Sequence, residues 1–311
     1  MLEVRSISEI PAGVTELAVA IGKFDGLHVG HAQIIHELVE YCSEASLVPA
    51  VITFDRHPKQ VLDPAAVPGA LIGPIQKREL LADLGVELLI ELPFDKALAS
   101  LGAQQFVEQV LVQANARMVF VGADFKFGSG GKGNPELLRE LGPQGGFRVR
   151  EVPAVKLGDK RISSTAVREA LDLGRVDVAA VMLGRSHKIT GEIEHGKKLG
   201  RTFGFPTANF SRSSEGYLPA DGVYAGYLWV DGVKMPAAHS VGTNDSVAEV
   251  PRLIESHVLD RDDLDLYGKI CTAELVAQVR PWSKFGSLDE LLVQIAKDVS
   301  QTKEILGSIE P

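Results

Sequence analysis

Gly22-Lys-Phe-Asp-Gly-Leu-His-Val-Gly-His31 follows the apolar run Leu17 to Ile21 and leads into Ala32-Gln-Ile-Ile-His-Glu-Leu-Val-Glu40. The apolar run reads as a strand, the glycine-spaced decapeptide as a small-residue turn, and the segment after it as an amphipathic helix. On that reading His28 and His31 stand three residues apart on one helical face. A helix N-terminus presents unpaired N–H groups and partial positive charge, so a triphosphate fits there beneath both rings. Glycines at 22, 26 and 30 would let the anion approach the backbone closely. Two histidines near a turn can also be an accident of packing; the strand, turn and helix around them favour a nucleotide site.

Outward from this segment, the first half alternates strands and helices. Strands are predicted at 17–24, Val48–Phe54, 87–92, 117–122 and 147–155, and helices at 32–43, 75–84, 103–115 and 135–141. Alternation at this spacing implies an α/β fold with a doubly wound parallel sheet, whose ligands bind outside the carboxyl ends of the strands. After Gly184 the pattern changes to short runs at 188–195, 223–230, 237–241, 253–259 and 270–279, separated by Gly, Pro, Asp and Asn. These imply a small antiparallel β-barrel. Ser287 with Glu290 forms a capping-box pattern, and Leu288, Leu291, Leu292, Ile295 and Val299 make one stripe of a terminal helix that packs on the barrel. A helical stretch at 165–183 precedes the boundary, which gives expected domains of residues 1–184 and 185–311.

Size and composition agree with two domains. The 311 residues are 45% hydrophobic and 23% charged, ordinary for a globular protein, and no apolar run approaches the length needed to cross a bilayer. A secretory signal is not supported at the N-terminus, and the isolated Cys42 and Cys271 form neither a metal-ligand set nor a disulfide framework. A cytoplasmic location without a membrane partner is expected. The net charge of −9 is shared by both halves, so a nucleic-acid partner is not expected, and anionic nucleotides depend on local groups and a cation. The sequence leaves the oligomeric state open.

The segment at 22–31 resembles the GxFDGxHxGH signature of the adenylyltransferase module of bifunctional prokaryotic FAD synthetases, within the HxGH nucleotidyltransferase superfamily. Three further segments match in order: Val51-Ile-Thr-Phe-Asp-Arg-His-Pro58, Val121-Gly-Ala-Asp-Phe-Lys-Phe-Gly128 and Arg161-Ile-Ser-Ser-Thr-Ala-Val-Arg168. In the last, Ser163 or Ser164 suits the N-cap of a helix whose first turn offers Thr165 and Arg168 to phosphate oxygens. The resemblance implies attack of an FMN phosphate oxygen on the α-phosphorus of ATP, with release of pyrophosphate. His28, His31, Ser164, Thr165 and Arg168 would be catalytic, and Gly22, Phe24, Asp25, Gly30, Asp124 and Arg161 would bind ATP or flavin. Gly128-Ser-Gly-Gly-Lys-Gly133 looks like a phosphate loop but lacks the required spacing, and is read as a mobile loop near the site.

The stretch from Gly191 to Asn209, ending Pro-Thr-Ala-Asn, resembles the riboflavin kinase module of the same enzymes. It implies an ATP loop shaped by Gly191, Gly196 and Gly200, with Lys197 or Lys198 near the phosphates. Thr207 and Asn209 offer neutral oxygens to Mg²⁺, and Glu255 matches the catalytic glutamate that accepts the riboflavin hydroxyl proton. Alternation places Leu253, Glu255 and His257 on one strand face.

This half also departs from the family pattern. Gly242-Thr-Asn-Asp-Ser-Val247 stands where Gly-Thr-Asn-Pro-Thr-Phe is frequent, Leu253 where arginine is common, and His239 where an aliphatic is usual. The leading expectation is a bifunctional enzyme that converts riboflavin to FMN and FMN to FAD, with ATP and Mg²⁺ at each step. One alternative keeps the adenylyltransferase but leaves the kinase-like domain weak or inactive, as a flavin-binding or regulatory module. Another, an adenylyltransferase for a different phosphate ester, is disfavoured by the flavokinase-like second half.

Overall fold

Leu17–Ile21 forms a strand (β2) in which every residue is buried. The computed structural model describes residues 1–195, 204–243 and 252–308. They fall into two compact units, one of residues 1–69 and 74–162, the other of residues 70–73 and 163–311.

In the first unit β1 (Leu2–Val4), β2, β3 (Val48–Phe54), β4 (Leu88–Leu92), β5 (Ala116–Gly122) and β6 (Arg148–Val152) form a parallel sheet in the order β1-β4-β3-β2-β5-β6. This is the doubly wound sheet expected from the strand and helix alternation. β1 is an addition: three residues, two of them exposed, carry no pattern of their own and are held by pairing with β4. The chain builds from β2 through β3 to β4, then returns across β2 to β5 and β6. That reversal opens a crevice at the carboxyl ends of β2 and β5.

The faces of the sheet are covered by different helices. Helices Val29–Ala45 and Pro74–Asp83 follow β2 and β3 in successive crossovers to the next strand. Right-handed crossovers in one direction place both on one face, with their N-termini at the carboxyl edge. Phe106, Val110, Leu111, Leu138 and Phe147 pack in a core cluster with Val19, Ile21 and Ile52. The helix expected at 103–115 changes character, from an α-helical turn at Ala103–Phe106 to a π-helical turn at Val107–Val112. Two short strands, β7 (Lys156–Leu157) and β8 (Lys160–Arg161), make a hairpin turned at Gly158.

In the second unit the stretch 165–183 is two helices, Ser164–Asp172 and Val176–Leu183. Gly174 breaks it with φ +74°, a conformation that glycine adopts without steric cost. β9 (His187–Glu194), β10 (Ala208–Phe210), β11 (Gly222–Val230), β12 (Val233–Gly242), β13 (Leu253–Val258) and β14 (Ile270–Pro281) close an antiparallel barrel in the order β10-β13-β12-β11-β14-β9. β10, not among the expected strands, overlaps the end of the Gly191–Asn209 stretch. Its three residues close the barrel by pairing with both β9 and β13.

Helix Leu288–Gly307 ends the described chain. The Ser287 hydroxyl accepts from the Glu290 N–H at 3.2 Å, and the Glu290 carboxylate reaches back to the Gly286 N–H at 2.9 Å, one residue earlier than a standard capping box. Of the expected apolar stripe Leu288 is exposed, and the others are half-buried. The buried positions are Asp298, Thr302 and Leu306. Arg280 of β14 donates to Asp298 from Nε at 2.9 Å and from Nη2 at 2.8 Å, while Leu306 packs with Ala225 and Tyr227. A bidentate pair with a nearly inaccessible carboxylate thus fastens the helix alongside its apolar contacts.

Removing one partner of such a pair leaves the other charge buried, so Asp298→Ala is expected to cost about 3–5 kcal/mol. Urea unfolding followed by the fluorescence of Trp229 and Trp282, the chain's two tryptophans, measures this directly because both lie in the barrel unit. An unchanged midpoint would show that the pair contributes nothing to holding the helix.

Candidate active sites

The first site begins where β2 stops. The expected strand end at residue 24 is cut short at Ile21, because Phe24, Gly26 and Leu27 all adopt left-handed backbone, with φ of 47°, 79° and 40°. Non-glycine residues in this region cost about 1–3 kcal/mol each. Phe24 and Leu27 are fully buried, and burial of such side chains returns about 1.5–3 kcal/mol each. Gly22 and Gly30 serve the neighbouring rings: a Cβ at Gly22 would meet the Phe24 ring at 3.2 Å, and one at Gly30 the His28 ring at 3.3 Å.

The turn delivers His28 to the N-cap of helix Val29–Ala45, where its Nδ1 accepts from the His31 N–H at 3.3 Å. The neutral tautomer therefore carries its proton on Nε2. The His28 and His31 rings stack with centroids 3.7 Å apart and planes 14° from parallel, and Phe24 meets His31 edge-on at 5.3 Å. Burial, reinforced by Arg161, pulls the His28 pKa down to about 4. Burial also pulls His31 well below its ordinary value, with His28, Lys23, Arg161 and Lys77 adding to the effect. His31 Nδ1 is buried and has no hydrogen-bond partner among the described residues. Both rings are thus neutral near pH 7.

Asp124, just past β5, pairs with Arg161 of β8 at 2.6 Å. Burial works to raise the Asp124 carboxyl, but the hydrogen bond and charge of Arg161 outweigh it and hold the pKa below the usual value. Asp25, Asp124 and Arg161 all act electrostatically on His28, so the structure brings these predicted residues together. Ser163, rather than Ser164, caps helix Ser164–Asp172, its hydroxyl accepting from the Ala166 N–H at 3.2 Å. Ser164, Thr165 and Arg168 occupy the first turns of that helix, which belongs to the second unit. The glycine-rich loop is closed at its base: Phe127 and Gly133 exchange backbone hydrogen bonds of 3.2 and 2.8 Å.

The second site is assembled by strand register. Asn209 of β10 stands opposite Glu255 of β13, Glu255 opposite Ser240 of β12, Ser240 opposite Val223 of β11, and Val223 opposite Arg280 of β14. Directly paired residues project to the same side of a sheet. Ile254, Ser256 and Val258 are buried while Leu253, Glu255 and His257 are only half-buried, so this row runs along the outside of the barrel. Ser240, Val223 and Arg280 line a cavity of about 500 Å³ together with Trp282, Phe285 and Leu288. Two strand spacings, about 10 Å, separate Glu255 from Val223 on β11.

Around this row the sequence-predicted residues fare differently. Asn209 Nδ2 donates to the Thr207 carbonyl at 3.3 Å. Gly191 makes room for Ser214, whose hydroxyl would collide with a Cβ there. His257 is tied to the Pro206 carbonyl through Nδ1 at 2.9 Å. His239, at the position usually aliphatic, points into the barrel, where its Nδ1 shares a 2.7 Å hydrogen bond with Ser256 and burial lowers its pKa to about 3. Gly196, Lys197, Lys198, Gly200, Asp245 and Val247 lie outside the described residues. Sequence reasoning missed the cavity wall of Ser240, Val223 and Phe285; the strand pairing that collects it carries no local motif.

The described residues contain no cluster of three or more His, Cys, Asp or Glu able to hold a metal, and no helix long and apolar enough to cross a membrane. Residues 11–166 match the family described as FAD synthetase and residues 183–306 the family described as riboflavin kinase. The bifunctional riboflavin kinase/FMN adenylyltransferase of Escherichia coli strain K12 is 35% identical over 311 residues, covering 99% of both chains. That of Bacillus subtilis strain 168 is 34% identical over 285 residues, covering 90% of this chain and 89% of its own. A solved structure described as a macrolide-efflux protein from Streptococcus pneumoniae superposes with a TM-score of 0.88 at 31% identity, covering 97% of this chain and 98% of that one. With two matched families in order and full-length relatives above the level at which homology is secure, the chain belongs to the bifunctional riboflavin kinase/FMN adenylyltransferase family.

Proposed function

We propose that this chain performs the two steps of FAD biosynthesis at separate sites divided near residue 184, each step using ATP with Mg²⁺. Family membership gives the overall route, riboflavin to FMN and FMN to FAD. The observation that carries it is the row joining Asn209, Glu255 and Ser240 to the cavity on the barrel, distinct from the stacked His28 and His31 at the end of β2.

At the barrel, the riboflavin ring occupies the cavity between β11 and the segment from Trp282 to Leu291, leaving the ribityl chain to span the distance to Glu255. The primary hydroxyl oxygen attacks the γ-phosphorus of ATP, its proton passes to the Glu255 carboxylate, and ADP departs. Thr207 and Asn209 suit Mg²⁺ because they present neutral oxygens, with the Asn209 amide nitrogen turned to the Thr207 carbonyl. A hard cation accepts such donors alongside waters and phosphates. When bound it screens the phosphate charge; Glu255 and the strand register supply orientation.

At the first site, a phosphate oxygen of FMN attacks the α-phosphorus of ATP and pyrophosphate leaves, with no covalent protein intermediate. His28 presents its Nε2–H and His31 its ring to the nucleotide at the helix N-terminus. Gly22, Phe24, Asp25 and Gly30 shape the turn, Arg161 is assigned to the flavin phosphate with its partner Asp124 orienting that side, and Ser164, Thr165 and Arg168 are the further residues assigned to catalysis. Gly191, Gly196, Lys197 and Gly200 are assigned to ATP at the kinase site. The partners are small molecules.

Replacing both His28 and His31 by Ala is expected to lower FMN adenylylation by at least about a hundredfold, measured as FAD formed from supplied FMN. Near-normal FAD synthesis by the folded variant would refute the assignment. Glu255→Gln should reduce riboflavin phosphorylation by about 10²–10⁴-fold while sparing adenylylation; loss of both would count against separate sites.

A third expectation concerns pH. His28 is neutral in the folded state down to about pH 4, so kcat/KM for adenylylation should show no imidazole protonation step between about pH 5.5 and 8. The linked stability runs the other way: the unfolded chain takes up this proton first, so stability falls as pH drops from about 6.5 toward 4. An acidic limb in kcat/KM centred near pH 6.5 would contradict neutral burial of the pair.

A further inference from the structure

Two neutral imidazoles cannot by themselves offset the charge of a polyphosphate. Lys23, Arg161 and Lys77 are the cations that act on His31, and Arg161 is already paired with Asp124. Lys77 is half-buried and makes no ion pair within 4 Å among the described residues. Asp25 and Glu91 act on it only from farther away, and burial pulls its pKa below the ordinary value. An ammonium withdrawn from water without a close counter-charge is costly to maintain. Such a group suits an anion that arrives from solution.

Its place in the fold fits that use. Lys77 is the fourth residue of helix Pro74–Asp83, which lies between β3 and β4 as helix Val29–Ala45 lies between β2 and β3. Successive right-handed crossovers put the first turns of both helices on the same face at the carboxyl edge of the sheet. The two helices touch at their far ends: a Cβ at Gly85, just beyond the second helix, would lie 3.3 Å from Val39 of the first. Lys77 is among the charges felt by His31, whereas His28 responds chiefly to Arg161, Asp25 and Asp124.

We propose that Lys77 is a further substrate-contacting cation of the adenylyltransferase, its Nζ meeting the polyphosphate oxygens of ATP on the His31 side of the imidazole stack. The inference rests on the reading of His28 and His31 as the ATP site. It assigns to the helix after β3 a part in the reaction that none of the motif segments contains.

Kinetics of the full chain carrying Lys77→Met, Lys77→Gln or Lys77→Arg test it, with ATP and FMN varied separately and inorganic pyrophosphate as inhibitor. Loss of a charge-assisted contact should raise KM for ATP and the pyrophosphate inhibition constant by about tenfold or more in the Met and Gln variants. KM for FMN and riboflavin phosphorylation should stay within about twofold, and Arg should restore most of the loss. Unchanged ATP and pyrophosphate constants in a folded Met or Gln variant would overturn the proposal. So would a change confined to KM for FMN. If the double histidine variant itself adenylylates normally, the reading of the ATP site fails; if that variant is inactive and Lys77→Met behaves as wild type, only the role of Lys77 fails.

Discussion

The left-handed turn from Phe24 to Leu27 is the constraint on which the first site depends. It ends β2 early, buries two side chains beneath the crevice and sets His28 at the helix N-cap instead of within the helix. The backbone cost of Phe24 and Leu27 is of the same order as the gain from burying them, about 1–3 kcal/mol each. The turn is therefore stable only with Phe24 and Leu27 packed. That packing also decides the chemistry: imidazoles stacked 3.7 Å apart and withdrawn from water stay neutral, act as hydrogen-bond donors, and leave positive charge to Lys and Arg side chains around them.

The second site depends on register rather than on a turn. Asn209, Glu255, Ser240, Val223 and Arg280 come from five different strands and meet because each is paired with the next. A one-residue slip between β12 and β13 would turn Glu255 into the barrel and bring Ser256 out. The inner face resists such a slip, since His239 and Ser256 are hydrogen-bonded there and His239 has no room to leave. Arg280 serves twice, lining the cavity and holding Asp298 of the terminal helix. The wall of the barrel cavity and the anchoring of the last helix are thus one structure.

Most of the sheet was legible in the sequence because buried parallel strands such as Leu17–Ile21 and Val48–Phe54 are long apolar runs between helices. β1 and β10 were not, since three-residue strands take their conformation from the partners they pair with. The break at Gly174 was hidden because apolar residues continue on both sides of it. At the sites, His28, His31, Asp124, Arg161, Asn209 and Glu255 stand in motifs that can be read locally. Ser240, Phe285 and Lys77 stand in none; only the fold sets Ser240 and Phe285 along one cavity and Lys77 among the charges acting on His31. Gly22, Gly30 and Gly191 were legible as glycines, but the atoms they make room for are visible only in three dimensions.

The central claim is that one chain carries both transfers at two sites. It is tested most directly by a time course of the purified chain with riboflavin, ATP and Mg²⁺, in which the flavins are separated and quantified. The account requires FMN to appear first and FAD to follow at its expense. FAD from supplied FMN, with no FMN formed from riboflavin, would contradict it and leave the barrel without its catalytic role.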